Sequence, residues 1–149
     1  MYRIDETDYG FKLTFGDAID HDAMTRWYTA VMSVMNSQTG SFAMMIDLRK
    51  LKPLSAEFEE QIQKLKDNAR RKGLVRSVVI LGDALTLMRL RREAKRSNYR
   101  FERYINANFE PNWEQIGRDW LLDEVDPDIV DVMALLPTRE KGKPANASA

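Results

Sequence analysis

The chain has no cysteine among its 149 residues. That excludes disulfides, thiolate metal sites and cysteine nucleophiles. It has one histidine, His21, with no serine-rich elbow near it in sequence. A general base needs a positioned partner, so His21 reads as a surface residue at a helix start. Asp20 and Asp22 flank it, but three consecutive helical residues cannot face one point, so no metal site is expected. The seven glycines form neither a phosphate-binding loop pattern nor a dinucleotide fingerprint. No apolar run approaches the roughly 20 residues of a membrane span. Acids stand at Asp5 and Glu6, where a signal peptide would need an apolar stretch, so the expected compartment is the cytoplasm. No catalytic constellation and no cofactor site stand out.

What is present is an ordinary globular composition, 44% hydrophobic and 31% charged, enough for one domain with a real core. The domain is expected over residues 1–122. An acidic and apolar appendage, read as a short helix, follows over 123–136, and a disordered tail over 137–149. The net charge is zero but unevenly spread: −4 over residues 1–48, +9 over 49–103 and −5 over 104–149. A basic middle between acidic ends can make a positive face for an acidic partner, a phosphate or an anionic surface, or can be solvated helix faces whose charges cancel in space.

Residues 42–48 and 76–81 are short apolar runs on either side of a helix-length segment led by Ser55, the signature of a βαβ unit with a buried parallel sheet. Tyr2 to Ile4 and Phe11 to Phe15 read as a hairpin turning at Asp8, Tyr9 and Gly10. A first helix begins at Asp20 or His21, with Met24, Trp27, Tyr28, Val31, Val34 and Met35 on one face, and ends before Gly40. Ser55 reads as an N-cap, Phe58, Ile62, Leu65 and Ala69 as the buried stripe of a second helix, and Gly73 as its stop. A third helix is expected over 84–95, an alternating edge strand over 100–105 and a fourth helix from Pro111, lined by Trp113, Ile116, Trp120 and Leu121. The methionines and tryptophans read as core. The fold class is therefore α/β, one mixed, mainly parallel sheet of about five strands with about four helices packed on it, in the order ββαβαβαβα.

Four segments in this order resemble the STAS domain of anti-sigma-factor antagonists, more closely its looser STAS-like branch, over about residues 2–122. Met44, Met45, Ile46, Asp47 and Leu48 resemble the central strand before the family's switch loop. The spacing from Leu48 through Leu51 and Leu54 to Ser55 resembles that loop. Val78 to Asp83 resembles the next strand and helix start, and residues 109–121 the closing helix. In phosphorylatable members the loop carries an aspartate, two serines and a glycine, and a kinase modifies one serine. Here Ser55 falls where the family has its aspartate and Glu57 nearest the modified serine. This departure implies a domain without the usual phosphoserine switch, with Glu57 a permanent negative charge at a helix start. Ser55 and Glu57 also read simply as a cap and a first-turn acid.

The resemblance implies a non-enzymatic, cytoplasmic regulatory domain that binds a protein partner, of the anti-sigma-factor kind, through the loop and helix after the central strand. Lys52, Ser55 and Glu57 are the candidate contacts. The alternative is a small-molecule or lipid binder of the STAS-like branch, with an apolar groove beside Trp27 or Trp113. A hydrolase using His21 is a third reading. Gly82 and Asp83 at a helix start, with Arg89, form a candidate anion site. Arg89, Arg92 and Arg96 share a helix face, yet no nucleic-acid partner is expected without interleaved aromatics. Homodimerisation is expected through the edge strand near 101–105 or through 129–136.

Overall fold

A computed structural model describes residues 1–129 apart from Pro53 and Asn98. The expected tail over 137–149, and all of the expected 129–136 helix beyond Ile129, lie outside the described residues. Five strands, β1 (Tyr2–Glu6), β2 (Gly10–Asp17), β3 (Phe42–Leu51), β4 (Leu74–Leu81) and β5 (Glu102–Asn106), form one sheet in chain order. β1 pairs antiparallel with β2, and every later neighbour is parallel. The sheet is thus mixed and mainly parallel, as the apolar runs predict.

Because strand order follows chain order, the three crossovers turn the same way and place their helices on one face. These are α1 (His21–Asn36), α2 (Ala56–Lys72) and α3 (Ala84–Ser97). Their buried side chains meet Phe11, Leu13, Phe15, Met44, Ile46, Val79 and Tyr104 in the larger core. The last helix, α4 (Trp113–Asp123), covers the other face, where Trp120 and Leu121 pack on Ala43, Met45, Val78, Ile80 and Ile105. β3 lies between the two layers and buries its first seven residues without alternation.

The helices start and stop on identifiable chemistry. Asp20 caps α1 through Ala23 N (2.8 Å), and Ser55 caps α2 through Phe58 N (3.1 Å). Gly73 ends α2 at φ +124°, and a Cβ there would lie 2.8 Å from Gly40 O, so the tight return into β4 needs glycine. That turn lets β4 begin at Leu74, two residues earlier than its apolar run suggests. The larger core centres on an edge-to-face aromatic triad, with Phe15 5.0 Å from Trp27 and 5.1 Å from Phe58 between ring centroids.

Two expectations need correction. α4 begins at Trp113, not at Pro111. β5 is an edge strand by position, but all five of its residues are buried rather than alternately exposed. Glu102 and Tyr104 turn inward, where the Glu102 carboxylate accepts from the Tyr104 hydroxyl and from Lys66, while Arg103 is held by Asp126 (2.8 and 3.0 Å) and stacks on Tyr99 and Trp120. The segment after α4 therefore lies along this edge.

Candidate functional site

The loops after β3, β4 and β5 meet at the carboxyl end of the sheet. Asp47 fixes the approach to the first of them. Its carboxylate is buried and accepts from the Arg49 backbone and guanidinium at 2.9–3.1 Å, and Arg49 stacks on Trp113 with 4.2 Å to the ring centroid. That arrangement pins the end of β3 just before Lys52, which is exposed. The next two loops are tied together: Asn108 Nδ2 donates to Gly82 O (2.7 Å), and Ala107 N donates to Leu81 O (2.8 Å).

The expected contact residues lie at this end in different roles. Ser55 is exposed, and its hydroxyl oxygen is engaged as the α2 cap. Glu57 is 55% exposed and bonds His21 Nδ1 at 2.9 Å. This pair joins the first turns of α1 and α2, so His21 does have an acidic partner, which the sequence reading missed. The hydrogen bond and charge of Glu57 lift the imidazole above its ordinary 6.5. Both groups are open to water.

The candidate anion site is not assembled as a unit. Gly82 and Asp83 line a hollow of about 370 Å³ with Arg49, Lys52 and Thr86. Asp83 fills the amide end of α3 itself, accepting from Thr86 N (3.0 Å) and the Thr86 hydroxyl, which hold its carboxyl below the usual range. Arg89 points elsewhere, in a two-pronged bond to Glu59 (2.8 and 3.0 Å) with Glu93 at 3.6 Å. A neighbouring carboxylate is a strong partner for a guanidinium, and three-residue spacing along one helix cannot reveal it.

The sequence reading also missed an apolar surface beside these loops. Leu85 is 78% exposed, Met88 55% and Phe109 74%. Met88 and Phe109 line a hollow of about 230 Å³ with Leu87, Ile105, Ile116 and Pro127. Leu85 lies one turn before Met88 on α3. The signal was legible: Leu85, Leu87, Met88 and Leu90 crowd two turns, more apolar groups than one helix face can bury. The tryptophans singled out for a groove do not form one. Trp27 is fully buried, and Trp113 carries Arg49 and Lys12 on its ring.

Among the described residues no cluster of three or more histidine or acidic side chains is placed to hold a metal ion, and no helix is long and apolar enough to cross a membrane.

No known family profile matches the sequence, and no curated protein is significantly similar to it. Among solved structures, the chain is similar to an uncharacterized protein of the DUF3478 family from Shewanella loihica PV-4, described as having a SpoIIAA-like fold. The superposition covers 81% of this chain and 92% of that one, with a TM-score of 0.57 at 18% identity. The chain has a SpoIIAA-like fold. This is the STAS-like architecture that the order of its strands and helices implies. At this identity the likeness carries the fold and leaves the site to be argued from its own residues.

Proposed function

We propose that this SpoIIAA-like chain is a non-enzymatic, cytoplasmic regulatory domain that works by holding a protein partner at the carboxyl end of its sheet. The observation that carries the reading is the exposure of Leu85, Met88 and Phe109 together, beside the rigidly tied loops at 82–83 and 107–108. Large apolar groups grouped on a surface mark interaction sites, whereas single ones do not. A preformed hollow with a polar rim suits an apolar anchor from a partner. Arg91, Asn106 and Glu110 edge that hollow, and Lys52 and Asp83 of the hollow at 82–83, with Glu57 at the start of α2, add charges of both signs that favour one orientation of approach. The partner expected is therefore a protein offering an apolar side chain next to a basic group that can reach Glu57.

The absence of a phosphoserine switch belongs to the same reading. The Ser55 oxygen is taken up in the helix cap, and Glu57 places a permanent charge in the first turn, where the macrodipole favours it. The test is affinity capture with the purified chain, followed by titration of the retained protein after its own purification. Wild type should bind saturably. Met88→Glu with Phe109→Glu should weaken binding at least tenfold with unchanged circular dichroism, and Glu57→Lys should weaken it too. Binding that all three substitutions leave intact would remove this surface from the account.

A further inference from the structure

A second concavity lies between α2 and α3, sharing Leu48 and Leu54 with the hollow at 82–83. It has a volume of about 340 Å³, within the range of small-ligand pockets. Its origin is visible in the sequence. On its sheet-facing side α3 presents Leu87, Leu90, then Ala94 and Ser97, so the stripe loses bulk along the helix while α2 keeps Phe58, Ile62 and Leu65. The two helices are therefore held apart over a floor of Ile46, Leu48, Val79 and Tyr104.

One end of the cleft carries a buried polar group. The Glu102 carboxylate is 1% exposed and accepts from Lys66 Nζ (2.8 Å), Ser77 Oγ (2.7 Å) and the Tyr104 hydroxyl. Burial alone would raise its pKa, but these three donors more than offset it and hold the carboxyl below its ordinary 4.5. The Lys66 ammonium is thus already committed to a full carboxylate and is a poor anchor for a ligand acid. The rim carries Glu59, Glu60 and Glu93. Arg89 satisfies Glu59 and approaches Glu93, while Glu60 is exposed and forms no ion pair among the described residues. Glu59, Glu60 and Glu93 line the cleft with Lys66; Lys66 is taken by Glu102 behind the wall and Glu59 by Arg89, which leaves a surplus of negative charge above an apolar floor that selects for a positive head group.

We propose that the cleft between α2 and α3 binds a small apolar amine, its hydrocarbon part on Ile46, Leu48 and Val79 and its ammonium at Glu60 and Glu93. This goes beyond the docking surface and does not depend on it. The test is a titration followed by amide shifts in two-dimensional NMR at neutral pH, with phenethylamine, hexylamine and tryptamine as probes and 3-phenylpropionate as an anion of matching size. Saturable shifts are expected on the 58–66 and 90–97 segments for at least one amine, with 3-phenylpropionate at least tenfold weaker. Glu60→Gln with Glu93→Gln, both at exposed positions, should lower amine affinity three- to tenfold with the thermal midpoint unchanged. Ala94→Phe should fill the cleft and abolish the shifts. Absence of saturable shifts with all three amines, shifts elsewhere, or equal binding of amine and acid would overturn the proposal.

Discussion

Glu102 is the residue whose environment departs furthest from what its sequence position suggests. In a run of alternating polar and apolar side chains it reads as solvent-facing, yet it is buried against Lys66, Ser77 and Tyr104. Alternation reports polarity, and polarity matches exposure only where no buried partner is waiting. Removing one member of such a pair leaves an uncompensated buried charge, so Lys66→Met should lower the unfolding free energy by about 3–5 kcal/mol, measured by urea denaturation. Lys66→Met with Glu102→Leu should recover much of that loss. The folded carboxyl titrates below its unfolded value, so its contribution is present above about pH 4.5 and is lost as pH falls through the folded value. The double variant should lose less stability on acidification than wild type. His21 runs the other way: its raised pKa means the Glu57 contact is strongest below about pH 6.5 and fades as pH rises through the folded value. An NMR titration should place the His21 midpoint above 6.5 and show it falling in Glu57→Gln.

At the scale of elements, the segment after α4 is the least expected feature. Asp126 grips Arg103, and Asp128 accepts from the Tyr99 hydroxyl and pairs with Arg91 at 3.4 Å. Arg91 also donates to Tyr104 O at 3.0 Å, and Arg103 to Glu102 O. Two outward-facing carbonyls of β5 are thereby occupied, and an edge without free carbonyls is a poor template for another strand. Asp126→Ala should cost about 1–3 kcal/mol by leaving Arg103 buried without its carboxylate, and should speed amide exchange along β5. The helices were far more legible. Ser55, Gly73 and the stripe Phe58, Ile62, Leu65 and Ala69 are local signals, and α2 follows them residue by residue. The pairing of α1 with α2 through His21 and Glu57 joins residues far apart in sequence, and no local pattern encodes it.

For the whole molecule, the mainly parallel order was readable because each buried run fixes its own layer and the crossover rule fixes the rest. The proposed docking surface was legible only in part: the apolar excess of α3 is a local signal, but its meeting with Phe109 depends on how the loops converge. The molecule is polar along its strands. Leu85, Met88 and Phe109 crowd the carboxyl end, while Arg70, Arg71, Lys72, Lys95 and Arg96 end α2 and α3 at the opposite pole. Those cations complement the helix dipoles, which accounts for much of the basic excess in the middle of the sequence without a polyanionic partner. The Phe15, Trp27 and Phe58 triad packs α1 and α2 onto the sheet, so Trp27→Ala should lower stability by about 3–5 kcal/mol, read by thermal unfolding. The most direct measurement of the account is hydrogen–deuterium exchange on the complex with the captured, purified partner. Protection should appear at 52–57, 82–88 and 107–110 and leave 70–72 and 95–97 unchanged. Protection confined to the cationic pole would contradict it.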